Sequence, residues 1–184
     1  MNIKPTLLEG CVIIEPRVFG DDRGYFFESF SQKNFFEQTG NNTVFVQDNE
    51  SYSTKGVLRG LHFQKGEAAQ TKLVRVVKGE VLDVCVDLRK NSPTYGQYIG
   101  VNLSENNKLQ LLIPRGFAHG FVVLSDEAVF QYKCDSYYNK EAEGGIHYAD
   151  YQLAIDWLLP LDELIVSQKD MELPVLADAG ELGF

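Results

Sequence analysis

Hydrophobic and polar positions alternate along most of this chain with a period of two, and runs with the helical period are few. Val81 to Leu88 shows the pattern most clearly. Side chains on a strand point alternately to its two faces, so Leu82, Val84, Val86 and Leu88 share one face and Val81, Asp83, Cys85 and Asp87 the other. The preceding run, Leu73 to Val77, is apolar and β-branched, and Lys78-Gly79-Glu80 between the two reads as a tight turn. Further strand-like runs are Gly10 to Ile14, Gly24 to Phe30, Thr43 to Gln47, Tyr98 to Leu103, Leu109 to Ile113, Gly120 to Leu124 and Ala128 to Cys134. Gly, Pro, Asn and Asp interrupt them at intervals typical of a β-sandwich or small barrel. Ser31 is placed to cap a short helix carrying Phe35 and Phe36, with Gly40 as its stop. A second short helix is expected after Ser167. No repeat, low-complexity tract or linker divides the chain. The pattern predicts an all-β fold with a few short helices, organised as one domain over residues 1–184.

Composition narrows the function classes. Of the 184 residues, 44% are hydrophobic and 23% charged, the balance of an ordinary globular protein rather than a disordered one. No apolar run is long enough to span a bilayer, and the first ten residues lack the apolar core of a signal peptide, so no membrane partner and a cytoplasmic location are expected. A net charge of −9 argues against nucleic acid as partner, because a polyphosphate backbone demands a broad basic surface. A small phosphorylated ligand needs only a few local cations, such as Arg23, Arg59 and Lys72. Cys11, Cys85 and Cys134 are too scattered for a disulfide framework or a CxxC metal site, and packed reduced thiols are expected.

Two of the three histidines lie in glycine-punctuated strand contexts, Gly60-Leu61-His62-Phe63-Gln64 and Pro114-Arg115-Gly116-Phe117-Ala118-His119-Gly120. The second resembles the P-x-G-x-x-H motif of the cupin superfamily, whose jelly-roll barrel of antiparallel sheets is thereby implied. Metal-binding cupins carry an H-x-H pair in their first motif, and here that place reads His62-Phe63-Gln64. Two histidines without a third ligand are a poor start for a tight divalent site, so no metal and no cofactor are expected.

A longer ordered series sharpens the resemblance. Asp22-Arg23-Gly24-Tyr25-Phe26-Phe27-Glu28, Gln47-Asp48-Asn49, Arg59 to Gln64, Lys72-Leu73-Val74-Arg75-Val76 and Pro114 to Phe121 occur in one order, followed by Tyr132-Lys133, Tyr137-Tyr138, Glu143-Gly144-Gly145-Ile146 and Ser167-Gln168-Lys169-Asp170. Across nearly the whole chain this series resembles the dTDP-4-dehydrorhamnose 3,5-epimerase family. The resemblance implies epimerisation at carbons 3 and 5 of a dTDP-linked 4-keto-6-deoxy sugar. Such chemistry needs a base, an acid on the opposite face of the ring, and a donor or cation at the enolate oxygen.

The resemblance also assigns roles. His62 is the base, since an imidazole can be neutral and proton-accepting at cellular pH. Tyr132 is the acid, because a phenol stays protonated there; a barrel-lining aromatic is its bland alternative. Asp170 is the carboxylate that orients His62, although S-x-x-D also fits a helix cap and on residues alone the cap explains it better. Lys72 places an ammonium near the enolate oxygen, and His119 supports the same oxygen. The alternation of the Val81 run suggests Asp83 as a partner behind His119. Arg59 suits the diphosphate through its planar fork, with Gln47 and Asn49 beside it. Tyr138 corresponds to the residue that stacks on thymine, and Glu143 and Lys169 match further ligand contacts. Arg23 and Glu28 correspond to residues that reach the nucleotide from the second subunit of a homodimer. Taken singly, each is also an ordinary polar or aromatic residue. Rival readings are an enzyme inverting one carbon only, a metal-dependent cupin, and a sugar-nucleotide binder without turnover.

Overall fold

The computed structural model describes residues 1–180 and 182–184. Fourteen strands account for most of its regular structure: β1 Asn2–Pro5, β2 Val12–Glu15, β3 Phe19–Asp21, β4 Gly24–Phe26, β5 Gln47–Thr54, β6 Val57–Gln64, β7 Lys72–Lys78, β8 Glu80–Asp87, β9 Tyr98–Ser104, β10 Gln110–Ile113, β11 Phe117–Val123, β12 Glu127–Cys134, β13 Glu143–Gly145 and β14 Ile165–Val166. Two helices, α1 Gln32–Thr39 and α2 Gln168–Met171, complete the set with a few single 3₁₀ turns.

The strands form two large sheets. The first runs β1-β2-β10-β7-β12-β5, and the second runs β13-β6-β11-β8-β9, with β14 added to β6. Every pairing in them is antiparallel except β14 on β6. Strands close in sequence are repeatedly dealt to opposite sheets, which is the jelly-roll arrangement of the cupins. The hairpin β3–β4 pairs only with itself.

Alternation explains the layers. Val74 and Val76 of the first sheet meet Val81, Cys85 and Phe121 of the second in a core between the sheets. The opposite face of β8, Leu82, Val84, Val86 and Leu88, packs outward under Leu153 and Trp157 of the C-terminal segment. β8 is therefore buried on both faces, and its polar residues Asp83 and Asp87 are fully covered. The outer face of the first sheet is covered by α1, whose Phe35 packs on Ile14, Leu73 and Leu112. The helix has the expected ends: the Ser31 side chain accepts from Asn34 N, worth about 1 kcal/mol in such caps, and Gly40 closes it in the left-handed conformation.

Two strand expectations are corrected. Residues 43–46 form no strand; the strand begins at Gln47 and runs to Thr54. Its burial alternates, with Gln47, Asn49, Ser51 and Ser53 on the less exposed face. A strand whose inner face is polar carries no apolar period to detect. The strand expected over Gly24 to Phe30 ends at Phe26. The cysteines are free, as expected, but Cys11 and Cys85 are not scattered in space: their sulfurs lie 3.5 Å apart in the core. Among the described residues no helix is long and apolar enough to cross a membrane.

Candidate active site

His62 on β6 and His119 on β11 face each other directly across one antiparallel pairing. Two glycines allow the strands to meet there. A Cβ on Gly60 would lie 2.5 Å from Gly120 Cα, and one on Gly120 would lie 2.7 Å from Arg59 O. Gly60 also has φ +137°, a conformation that side chains of L residues rarely adopt. The two histidines thus share one wall of a cavity of about 550 Å³ between the sheets.

Each histidine is backed by a carboxylate. His62 Nε2 lies 2.6 Å from Asp170 Oδ1, and the other Asp170 oxygen accepts from Gly60 N at 3.4 Å. Burial disfavours the charged form of Asp170. The bonds from His62, Gly60 and Ser167 outweigh it and hold the carboxyl below its ordinary range. An ionised carboxylate only accepts, so His62 presents an N–H to it from Nε2, and in the neutral imidazole Nδ1 is then the free acceptor. Ser167 does cap α2, accepting from Asp170 N at 3.1 Å. The alternatives of cap and orienting carboxylate are therefore not exclusive, because the backbone of Asp170 serves the helix and its side chain serves His62.

On the other pair, His119 Nε2 lies 2.9 Å from Asp83 Oδ2. Asp83 Oδ1 is buried without a hydrogen-bond partner among the described residues. Burial pushes the Asp83 carboxyl up and the His119 imidazole down, against the opposing pull of each on the other.

The facing sheet supplies the opposite wall. Tyr132 of β12 and Lys72, the first residue of β7, both line the cavity. Lys72 Nζ sits 5.9 Å from the Tyr132 ring centroid, within cation–π range. Burial raises the Tyr132 phenol and lowers the Lys72 ammonium. Tyr132 thus keeps its proton over a wider range than a free phenol.

At the mouth, Arg59 lines the cavity and donates to Ser53 Oγ at 3.1 Å and to Tyr52 O at 3.4 Å. Gln47 and Asn49 follow on the same face of β5, joined by a 3.0 Å hydrogen bond. The Tyr138 hydroxyl donates to Glu143 at 3.0 Å, and Lys169 donates to the other Glu143 oxygen at 2.6 Å. Tyr138 N donates to Gln47. These contacts tie β5, the loop at Tyr138, β13 and α2 together. Arg23 and Glu28 are not at this cavity. Arg23 is exposed at the end of the β3–β4 hairpin and pairs with Asp21, while Glu28 accepts from Asn34. Gln64, in the place of a second motif histidine, accepts from Asn139 N at 2.8 Å. Among the described residues no group of three or more His, Cys, Asp or Glu converges as a metal site would require.

Sequence reasoning missed part of the lining. Phe121 and Phe130 stack with centroids 4.2 Å apart and form the apolar floor, with Phe130 also stacked on His119 at 6.0 Å. Both had a detectable signal, since each lies two residues from a candidate on the same strand face. Ser53, which steadies Arg59, shares the face of Gln47 and Asn49. Val57, Ile165 and Val166 reach the cavity through the β14–β6 pairing, a contact with no local signature.

A family model described as dTDP-4-dehydrorhamnose 3,5-epimerase matches residues 5–178. The chain is 55% identical over 179 residues to the dTDP-4-dehydrorhamnose 3,5-epimerase of Shigella flexneri, covering 97% of this chain and 98% of that one. Its fold matches the crystal structure of dTDP-4-dehydrorhamnose 3,5-epimerase from Elizabethkingia anophelis with TM-score 0.94 and 55% identity, over 98% and 99% of the two chains. It also matches dTDP-6-deoxy-D-glucose-3,5-epimerase from Legionella pneumophila in complex with dTDP-4-keto-L-rhamnose, with TM-score 0.93 and 53% identity over 99% and 97%.

Proposed function

Because the chain belongs to the dTDP-4-dehydrorhamnose 3,5-epimerase family, and is with it a sugar-nucleotide epimerase, we propose that it inverts carbons 3 and 5 of dTDP-4-keto-6-deoxy-D-glucose by base and acid groups on opposite walls of one cavity. One observation carries the mechanism. His62, its Nε2 held by Asp170, stands on one sheet, and Tyr132 stands on the facing sheet of the same cavity.

The ketone at carbon 4 acidifies the protons on carbons 3 and 5. His62 removes one, and the electron pair left on carbon flows to the ketone oxygen as an enolate. The imidazolium that forms is stabilised by Asp170. Lys72 and His119 face the enolate oxygen, where a fixed charge in a water-poor cavity is worth several kcal/mol. Tyr132 then donates a proton to the opposite face of the carbon, which inverts it. Solvent returns a proton to the phenolate and takes one from His62, and the cycle repeats at the second carbon.

Arg59 holds the diphosphate, with Gln47 and Asn49 beside it. Tyr138, Glu143 and Lys169 receive the nucleoside at the mouth. Arg23 and Glu28 complete the nucleotide site of the other subunit in a homodimer. This reading is supported by their position away from the chain's own cavity and by the exposed Phe19, Tyr25 and Phe26 of the β3–β4 hairpin. The reaction runs within one domain without a metal, a reading supported by the engagement of Gln64 with Asn139; dialysis against a chelator leaves turnover intact if it is correct. Proton NMR of dTDP-4-keto-6-deoxyglucose with the protein in heavy water tests the function. Two deuteriums incorporated with inversion are expected. One deuterium would identify a single-carbon epimerase, and none a binder without turnover.

A further inference from the structure

We infer that Asp83 is a positioning residue: the Asp83–His119 pair holds one more proton than the His62–Asp170 pair and thereby aims an N–H, rather than a bare nitrogen, at the ketone oxygen. The inference rests on the epimerase reading above and adds to it the protonation of the donor.

Both histidines spend Nε2 on a carboxylate and have Nδ1 left for the cavity. If Asp83 were ionised and His119 neutral, the single shared proton would sit on Nε2, as it does in His62. His119 Nδ1 would then be an acceptor and would repel the developing enolate. For His119 to donate, the pair must hold two protons, one between Asp83 and Nε2 and one on Nδ1. The pair is then neutral overall, whether written as carboxylic acid with imidazole or as carboxylate with imidazolium.

The surroundings of Asp83 favour the second proton. Its side chain is fully covered and Oδ1 has no partner among the described residues, so a full negative charge there lacks the donors that Asp170 receives. The charged or titratable groups beside the pair are Lys72 from β7, His62 from β6 and, on β8 itself, Cys85, whose thiol is held protonated first by burial. Lys72 supplies the positive charge at the oxygen, and a neutral donor beside it adds a hydrogen bond without a second cation. A carboxylate kept only for shape has no need of a buried oxygen without a partner.

The chain has three histidines, so ¹⁵N labelling of histidine alone gives a readable spectrum of the intact protein without any substitution. Protonated and bare ring nitrogens differ widely in shift. The expected result is His62 protonated at Nε2 only and His119 carrying a proton on Nδ1. A bare Nδ1 on His119 near neutral pH would overturn the inference. In turnover, Asp83→Val keeps the shape and removes the partner of Nε2, and kcat is expected to fall about 10- to 100-fold with KM little changed. Asp83→Asn donates to Nε2 and so keeps Nδ1–H; it should recover most of that loss. In a His119→Gln background Asp83→Val should add nothing further. Wild-type kcat in Asp83→Val, or equal losses in Asp83→Val and Asp83→Asn, would sink the proposal. Absence of turnover by the wild-type protein would instead defeat the epimerase reading and leave the spectrum to decide the protonation.

Discussion

His62–Asp170 and His119–Asp83 are the same chemical pair, set opposite each other on neighbouring strands, yet their surroundings differ. The His62 side chain is 33% exposed, and its carboxylate receives backbone support from Gly60. The His119 side chain is 8% exposed, and Asp83 is completely covered with one oxygen unpartnered. Burial opposes ionisation of both carboxyls. Hydrogen bonds overcome it at Asp170, whose pKa is lowered, and fail to at Asp83, whose pKa is raised. The comparison shows that the same residue pair can hold its carboxyl ionised or push it towards the neutral form according to how the protein solvates it, and on the proposed mechanism that separates a base from a donor.

The largest expected effect comes from removing the base. His62→Asn should lower solvent exchange and inversion together by about 10³- to 10⁴-fold, because no enolate forms. Deuterium incorporation measured by NMR checks this. If exchange survives in His62→Asn, the more exposed pair is not the base and the comparison breaks. Tyr132→Phe should slow inversion by about 100-fold while His62 still removes and returns protons on its own face. Comparing inversion rates decides it, and wild-type inversion would reduce Tyr132 to a barrel-lining aromatic.

Arg59→Lys leaves both pairs intact and separates binding from proton transfer. The charge remains but the fork is lost, so affinity for dTDP should drop about tenfold, or ~1.4 kcal/mol, by calorimetric titration. Unchanged affinity would mean that Arg59 does not clamp the diphosphate.

The smallest effect is on stability, and the two carboxyls should differ in sign. Asp170 has a depressed folded pKa, so its contribution is fully present above the unfolded value of about 3.9 and is lost as pH falls through the folded value. Asp170→Asn should therefore cost about 1 kcal/mol at neutral pH, with the deficit closing in acid. Asp83 has a raised folded pKa, so it favours folding below the unfolded value and loses that contribution as pH rises through the folded one. Asp83→Asn should be neutral or stabilising at pH 7. Thermal melts across pH measure both, and parallel curves would erase the distinction.

The fold was legible where local rules operate. Ser31 and Gly40 bracket α1 because capping needs only neighbours, and Val81 to Leu88 announced β8 by alternation alone. β5 was not legible, since its less exposed face, Gln47, Asn49, Ser51 and Ser53, is polar and inverts the usual pattern. The site residues could be named from ordered motifs, but their grouping was hidden. Arg23 and Glu28 carry the same kind of motif as Arg59 and lie away from the cavity, while Phe130 lines it without any motif.

By itself the sequence determined most of the strand-forming runs, the two helix caps, the histidines and tyrosine available for proton transfer, and the missing second histidine of the metal motif. Only the tertiary structure decided which carboxylate backs which imidazole, joining residues 108 positions apart at His62–Asp170 and 36 apart at His119–Asp83. It also decided how each carboxylate is solvated. The reason is physical: a proton's position depends on burial and on the donors within hydrogen-bond reach, and both are set by segments that meet only when the sheets close.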